Sequence, residues 1–165
     1  MSARRRINFA GFAACLAMLG YAFYAERVLG LEPCPLCMFQ RVGVVLLGLA
    51  FLVAALHDPT SRGGARFHAV LIGLVAAFPA YVAGRHVYIQ SLPAGSVPSC
   101  GATLDFMLEA FPLLTVVRKV LTGGGECAKI DWRLLGLSMP AWVLIAVLLL
   151  GVGGVLLNWR NQARK

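Results

Sequence analysis

Four stretches of about 20 predominantly apolar residues divide this 165-residue chain and constrain its fold more than any other feature. Each is long enough to cross a bilayer as a helix, and lipid-exposed backbone must satisfy its own hydrogen bonds. A soluble domain with 59% hydrophobic and only 13% charged residues would lack the interior to bury them. The sequence therefore predicts an all-α membrane protein, a single domain over residues 1–165 built as a bundle of four transmembrane helices at about 9–28, 38–56, 67–90 and 140–159.

The first apolar stretch has a second interpretation. Arg4, Arg5 and Arg6 precede it, as the basic end of a secretory signal peptide would. However, the stretch is long, lacks a clean small-residue cleavage site, and is followed at once by another span. These features favour a retained transmembrane helix.

The net charge of +8 is distributed unevenly along the chain. With four spans, both termini lie on one side of the membrane, and that side has one acid, Asp58, against eight cations: Arg4, Arg5, Arg6, Arg62, Arg66, Arg160, Arg164 and Lys165. The charges of the long loop on the other side balance. Because cytoplasmic segments carry the excess of Lys and Arg, we expect cytoplasmic termini and outer, periplasmic loops at about 29–37 and 91–139. The basic tails should contact anionic lipid, and no nucleic-acid motif is present.

One segment of the long outer loop has helical periodicity. Apolar residues recur at helical spacing at Leu104, Met107, Leu108, Phe111 and Leu114. Pro112 is expected to break or kink this pattern. The segment is too short and too polar to span, which predicts a short helix lying in the membrane interface. A small helix packed on its own loop is the alternative.

The five cysteines are divided between the membrane and the outer side. Cys15 lies in the middle of the first span, where a lone cysteine is usually a small hydrophobe. The other four fall in outer loops, where an even number of cysteines indicates disulfides: Cys34, Cys37, Cys100 and Cys127. Cys100 and Cys127 could staple the long loop. A zinc site is poorly supported, because only Cys34 and Cys37 have the spacing of a ligand pair, and no metal site is predicted.

The segment CPLC, residues 34–37, is better explained by redox chemistry than by stability. A bridge across two intervening residues closes almost no loop entropy, so it stabilises little. In CxxC pairs, one thiolate attacks and the other resolves. We expect Cys37 near the N terminus of the second helix with Arg41 one turn later, and both the helix dipole and the guanidinium favour a thiolate there. A snorkelling arginine at the membrane boundary is the alternative reading of Arg41.

Electrons that enter a cysteine pair need an acceptor. The chain has no haem-binding CxxCH, no nucleotide-binding loop and too few ligands for an iron–sulfur cluster. A lipid-soluble quinone needs no cofactor domain and would reach a pocket at the head of the second helix. There Cys37 could attack the ring, and Arg41 could hydrogen-bond a carbonyl as negative charge develops.

The chain resembles the disulfide bond formation protein B (DsbB) family along nearly its whole length. The resemblance is carried by CPLCMFQR at the head of the second helix, by the two cysteines of the long outer loop, and by GECAKIDWRLLGLSMPAW before the fourth helix. Members of this family keep the bacterial periplasm oxidising, so this role comes from the resemblance and not from the residues. The resemblance implies an inner-membrane thiol:quinone oxidoreductase that reoxidises a periplasmic thioredoxin-like dithiol oxidase (DsbA-like) and reduces ubiquinone or menaquinone.

The resemblance also implies an order of exchange among the cysteines. Cys100 would take the attacking thiolate of the partner and form a mixed disulfide. Cys127 would be released and attack Cys34. Cys37 would then be the thiolate that meets the quinone.

Two further residues match the family. Arg41 matches its quinone-contacting arginine, and His86, at the outer end of the third helix, matches a histidine near that quinone. A structural hydrogen bond is an equally good explanation of His86. The chain departs from the family in the extra residues GATL after Cys100, which could shift how the partner meets Cys100. It also carries Gln40 where some relatives have an acid, which changes the charge near Cys37.

Two other functions remain open at this point. One is a related enzyme, either a paralogue that serves one dedicated oxidase or a protein like vitamin K epoxide reductase. The other is a structural or metal-handling membrane protein whose disulfides are static staples that resist mild reductant. Cys34 and Cys37 argue against the second, because a staple there has little thermodynamic purpose.

Overall fold

Four long helices dominate the computed structural model, which describes residues 2–93 and 104–160. They are α1 (Ala3–Arg27), α2 (Pro35–His57), α3 (Arg62–Ser91) and, at the end of the chain, α7 (Met139–Arg160). Between α3 and α7 lie α4 (Leu104–Ala110), α5 (Leu113–Thr122), α6 (Gly125–Ala128), β1 (Arg133–Leu134) and β2 (Leu137–Ser138). In the described part of the chain, the four long helices are the ones long and apolar enough to cross a membrane. The predicted all-α membrane fold is confirmed.

The first three spanning helices each begin at a residue whose side chain caps the helix. Ser2 Oγ accepts a backbone N–H of the first turn of α1 at 3.0 Å, and Ser61 Oγ does the same for α3 at 3.1 Å. Such bonds satisfy N–H groups that have no partner inside a helix. Cys34 holds the same position before α2, and Pro35 follows at the first helical position, where its missing N–H costs little. With these caps, the helices extend a few residues beyond the apolar stretches of the sequence.

The bundle closes around Phe51, whose ring lies between two glycines. A Cβ atom on Gly11 of α1 would come within 2.7 Å of the Phe51 ring, and one on Gly154 of α7 within 2.9 Å. The ring belongs to a buried cluster that includes Cys15, Leu47, Ile72 and Val147. Small residues allow helix backbones to approach closely in membranes, and here they allow α1 and α7 to pack against an aromatic ring of α2.

Two buried asparagines join α1 to α7. Asn8 Nδ2 donates to Asn158 Oδ1 at 3.0 Å, and Asn158 Nδ2 donates to Asn8 Oδ1 at 2.9 Å. An unpaired amide in this position would cost about 1–3 kcal/mol, so the reciprocal pair fixes how the two helices meet. The Ser2 hydroxyl donates to the Asp58 carboxylate at 2.7 Å, which places the N terminus and the α2–α3 connection at the same end of the bundle.

The connection between α3 and α7 is more structured than the single interfacial helix that the sequence predicts. Pro112 separates two helices: α4 ends before it, and it occupies the N-cap position of α5. Met107 of α4 is buried, whereas Leu108 and Leu114 are exposed. The apolar residues that the sequence predicts on one helix face are therefore not buried together.

A second buried cluster, which we call the loop cluster, fastens this connection to α2 and α3. Its members are Leu36, Val82, Ile89, Met107, Val116, Val120 and Cys127. Arg85 of α3 adds two hydrogen bonds at the end of α5, since its Nε donates to the Leu121 carbonyl and its Nη2 to the Thr122 carbonyl, both at 3.1 Å. The last carbonyls of a helix have no hydrogen-bond donors inside the helix, and Arg85 provides donors for two of them. The segment that leads to Cys127 is thus held against the spanning helices.

Strands β1 and β2 form a small hairpin beside α7. Its two-residue turn, Leu135 and Gly136, has positive φ at both positions, as a type I′ turn requires. Trp142 Nε1 of α7 donates to the Leu134 carbonyl at 3.1 Å, and Ser138 Oγ donates to Gln90 Oε1 of α3 at 2.6 Å. These bonds attach the hairpin to the ends of both helices.

Gly11→Ala should lower the free energy of unfolding by about 1–3 kcal/mol, because the new methyl group overlaps the Phe51 ring. The ring cannot move away, since it is already packed against the backbone of Gly154. Gly20→Ala on the same helix is the matched control. A Cβ atom there meets nothing within 4 Å, and alanine has the better helix propensity, so stability should stay equal or rise. Thermal unfolding of the detergent-solubilised protein compares the two variants. Equal unfolding temperatures would contradict the packing around Phe51.

Candidate redox site

Cys34 and Cys37 occupy the cap and the first turn of α2. Their sulfurs lie 3.2 Å apart, and Cys34 Sγ accepts the Cys37 backbone N–H at 3.4 Å. The side chain of a cap residue reaches the N–H of the third helical residue, and in CPLC that residue is the second cysteine. The helix cap itself therefore brings the two sulfurs together. The N terminus of α2 also carries partial positive charge, which favours a thiolate.

Cys127, on α6, brings a third sulfur to the same place. Its side chain is buried and hydrogen-bonds the Cys34 side chain. Its backbone N–H donates to the Gly124 carbonyl at 2.9 Å, which fixes the start of α6. Since Cys34 also hydrogen-bonds Cys37, the Cys34 thiol interacts with both of the other cysteines.

Hydrogen bonding changes the pKa values of Cys34 and Cys127 in opposite directions. Accepting the Cys34 thiol proton is the main cause that lowers the pKa of Cys127 to about 6, although burial opposes it. The pKa of Cys34 is raised, first because its thiol bonds Cys127, next because it bonds Cys37, and further by burial. At neutral pH, Cys127 is therefore the thiolate and Cys34 is the donor.

Gly123 sets the approach of the Cys127 segment to α3. It follows α5 with a φ of +80°, which glycine adopts without steric cost. A Cβ atom at this position would overlap Ile89 Cδ1. Without a side chain, the backbone turns against α3 and places α6 beside the head of α2.

His86 of α3 reaches this site through both ring nitrogens. Gln40 Nε2 lies 2.9 Å from Nδ1, and because an amide nitrogen can only donate, Nδ1 accepts and the neutral ring carries its proton on Nε2. The Nε2–H donates to the Cys127 carbonyl at 3.1 Å and lies 3.8 Å from Cys34 Sγ. His86 and Gln40 are only 2% and 4% exposed, so packing holds the ring in this orientation.

Arg41 lies one helical turn after Cys37 and is held by α1. Its guanidinium forms an ion pair with Glu26, donates to the Ala22 carbonyl at 3.2 Å, and lies over the Phe23 ring at 5.2 Å. These contacts hold the guanidinium against α1. Its position is therefore set by α1 before any ligand arrives.

A cavity of about 120 Å³ lies between the head of α2 and α1, α3 and α7. Cys37, Arg41 and His86 contribute polar groups to its wall. Apolar wall is supplied by Met18, Leu19, Val44 and Val143. A mostly apolar pocket with a few convergent polar groups suits a ring-shaped ligand that carries polar atoms at its edge.

Comparison with known proteins identifies the family to which this arrangement belongs. Residues 4–157 match the family model described as Disulfide bond formation protein DsbB. The chain belongs to the DsbB family. It is similar to proteins named Disulfide bond formation protein B from Acinetobacter baumannii (50% identical over 137 residues, 83% of this chain and 80% of that protein), Nitrosococcus oceani (49% over 148 residues, 90% and 87%) and Methylococcus capsulatus (49% over 154 residues, 93% of each). No solved structure matches the chain significantly.

Membership of the DsbB family confirms the activity that the sequence predicts. The chain is an oxidoreductase that generates disulfide bonds by reoxidising a DsbA-like dithiol oxidase. Its four spanning helices make it a multi-pass protein of the bacterial inner membrane. The non-enzymatic alternative is thereby set aside.

The structure brings most of the predicted site residues together. Contacts through side chains or a backbone carbonyl join four of them: Cys34, Cys37, Cys127 and His86. Arg41 lines the same cavity, although its hydrogen bonds go to α1. Cys100 lies outside the described residues. Cys15 packs in the cluster around Phe51, away from the other described cysteines.

Sequence reasoning did not assign Glu26 and Gln40 to the site. A signal for Glu26 was available, because it and Arg41 are opposite charges at either side of one short loop. In the sequence, Gln40 stands out only as a change of charge beside Arg41. No sequence pattern connects Gln40 with His86, which lies 46 positions away.

Gly123→Ala should slow formation of a Cys34–Cys127 disulfide by about 100-fold, because the methyl group overlaps Ile89 and displaces the Cys127 sulfur by the order of an ångström. Gly124→Ala is the matched control, since a Cβ atom there meets nothing within 4 Å. Acid quenching of a single turnover, followed by mass spectrometry, measures the Cys34–Cys127 disulfide with time. Equal rates in the two variants would show that Gly123 does not position Cys127.

The protonation of Cys127 should change with a midpoint near pH 6, with the thiolate present above that pH. In Cys34→Ala the donor is lost, so the midpoint should move up towards the ordinary cysteine value of about 8.5. The carbon-13 shift of the Cys127 Cβ atom in reduced, selectively labelled protein follows the titration. Cys15→Ala should leave it unchanged. An unchanged midpoint in Cys34→Ala would mean that another group stabilises the thiolate.

Proposed function

We propose that two electrons pass from a reduced DsbA-like protein through the Cys100–Cys127 pair to the Cys34–Cys37 pair, and from there to a membrane quinone, ubiquinone or menaquinone. The observation that supports this order most directly is the position of the Cys34 sulfur. It lies 3.2 Å from the Cys37 sulfur and hydrogen-bonds the Cys127 side chain. A sulfur that exchanges one disulfide partner for another must be within reach of both.

The first exchange takes place at Cys100. A thiolate of the reduced partner attacks the Cys100 sulfur of the Cys100–Cys127 disulfide, so that a mixed disulfide forms and Cys127 leaves as a thiolate. The lowered pKa of Cys127 supports this assignment, because a thiol of lower pKa leaves faster. The second thiolate of the partner then attacks its own sulfur in the mixed disulfide. The partner departs oxidised, and Cys100 is left as a thiolate.

The second exchange takes place at Cys34. The Cys127 thiolate attacks Cys34 of the Cys34–Cys37 disulfide, and Cys37 leaves as a thiolate at the N terminus of α2, where the helix dipole stabilises it. Cys100 then attacks Cys127, which restores the Cys100–Cys127 disulfide and releases Cys34. The net result is one partner disulfide made and the Cys34–Cys37 pair reduced by two electrons.

The quinone, when bound, accepts two electrons and two protons. We propose that Cys37, Arg41 and His86 hold it in the cavity that they line, because a fixed cation beside a nucleophilic sulfur in a mostly apolar pocket fits such a ring. The Arg41 guanidinium would donate to an oxygen on which negative charge develops. Its contacts with α1 hold it in place, so little reorganisation is needed when charge appears.

We further propose that residues 1–165 form one membrane domain with its redox loops, about 29–37 and 91–139, in the periplasm and both termini in the cytoplasm. The excess of Lys and Arg near the termini supports this orientation. The contact between Ser2 and Asp58 supports it too, because it places the basic N-terminal end beside the basic α2–α3 connection. Thiol exchange with an exported partner also requires an oxidising compartment.

Cys37→Ser should abolish turnover but leave one stoichiometric oxidation of the reduced partner. The Cys100–Cys127 pair can still take two electrons, but it then has no second disulfide to which it can pass them. Counting partner thiols oxidised per chain, together with quinone absorbance, measures both effects. Cys15→Ala, which changes a cysteine of the Phe51 cluster, is the control and should keep multiple turnovers.

Two results would contradict the proposed order of exchange. Continued turnover in Cys37→Ser would remove Cys37 from the path to the quinone. Loss of even the first partner oxidation would show that the partner delivers its electrons to the Cys34–Cys37 pair and not to Cys100.

A further inference from the structure

Three atoms that are ligands for soft metal ions converge at the head of α2. Cys34 Sγ, Cys37 Sγ and a ring nitrogen of His86 all lie within 4.8 Å of one another. The two sulfurs are 3.2 Å apart, and Cys34 Sγ is 3.8 Å from His86 Nε2. We propose that the reduced protein binds a thiophilic divalent cation, of the zinc or cadmium class, through the Cys34–Cys37 dithiol and His86.

The distances suit tetrahedral coordination. Zinc binds sulfur at about 2.3 Å and imidazole nitrogen at about 2.0–2.1 Å, so two ligand atoms at a tetrahedral angle are about 3.5–3.8 Å apart. The separations of Cys34 Sγ from Cys37 Sγ and from His86 Nε2 lie within about half an ångström of these values, and side-chain rotation covers that difference. These three side chains provide three corners of a tetrahedron and leave the fourth to a water molecule or an added ligand.

Gln40 orients His86 for this role. A histidine that binds a metal through one nitrogen usually gives the proton of the other nitrogen to an oxygen acceptor. Metal binding at Nε2 moves the ring proton to Nδ1, where the Gln40 amide lies at 2.9 Å. An amide turned about its own bond presents its oxygen in place of its nitrogen, so Gln40 can accept that proton without a change of position. Both residues are buried, which keeps Nε2 beside Cys34 Sγ, and a cation bound at Nε2 replaces its hydrogen bond to the Cys127 carbonyl.

The cation site depends on the redox state. Thiolates bind soft cations, whereas the sulfurs of a disulfide are poor ligands, so the site exists only while the Cys34–Cys37 pair is reduced. Binding releases the thiol protons and involves no transfer of electrons. A cation held there also occupies the Cys37 sulfur. It would therefore hold the protein in the reduced state and inhibit reoxidation. This inference rests on the proposed function only in requiring that the pair be reducible.

Cadmium titration of the full chain, reduced with a non-thiol reductant in detergent, tests the proposal. One cadmium ion per chain should remain after gel filtration, with an ultraviolet band from sulfur-to-cadmium charge transfer, and zinc should displace it. The oxidised chain should bind none. Cys100→Ser should bind as the native chain does, because Cys100 is not one of the ligands.

Three variants test which residues bind the ion. Cys34→Ser and His86→Ala each remove a ligand and should weaken cadmium binding by about 100-fold or more, whereas Gln40→Leu should weaken it by the ~10–100-fold typical of an outer-shell partner. Cys15→Ser should have no effect. Thermal unfolding of the reduced variants without cadmium checks that they remain folded.

The cadmium-binding results test the cation site separately from the proposed electron path. Absence of the band in the native chain, or equal binding by native, Cys34→Ser and His86→Ala chains, would overturn the cation site. Neither result involves a partner protein or a quinone, so neither bears on the order of exchange, which the Cys37→Ser experiment judges independently.

Discussion

The position of one sulfur, that of Cys34, governs the redox site. As the cap of α2, Cys34 must direct its side chain at the N–H groups of the first turn, and this requirement brings it to Cys37. The same sulfur faces Cys127 from the long loop. A helix cap usually satisfies backbone donors only. Here it also places a redox sulfur where two disulfides can exchange, so the local fold and the chemistry share one constraint.

This arrangement depends on the connection between α3 and α7, which packs against the spanning helices. Cys127 belongs to the loop cluster, which buries apolar side chains of α4 and α5 against α2 and α3. Arg85 satisfies the last carbonyls of α5, and Gly123 then allows a turn that any side chain would block. Cys127 therefore approaches Cys34 at the head of α2 through packing and backbone geometry, without a covalent link to it among the described residues.

Polar groups near the membrane-embedded part of the site are paired before any ligand binds. Gln40 donates a hydrogen bond to His86 Nδ1, and the His86 Nε2–H donates one to the Cys127 carbonyl. Arg41 is paired with Glu26 on α1. Unpaired polar groups in apolar surroundings are costly, so each pair stabilises the fold while it orients a reactive group. Elsewhere in the bundle, the buried amides of Asn8 and Asn158 hydrogen-bond each other, whereas a single amide there would be unsatisfied.

Much of this protein follows from local sequence alone. The four spans, the break at Pro112 and the meeting of Cys34 with Cys37 depend on hydropathy, on the missing N–H of proline and on the geometry of a helix cap, all of which act over a few residues. Only the tertiary structure decided that Cys127 joins them, that His86 lies beside the sulfurs, and that Glu26 and Gln40 hold Arg41 and His86. Those contacts join residues far apart along the chain, and packing between helices, which no short sequence pattern encodes, determines them.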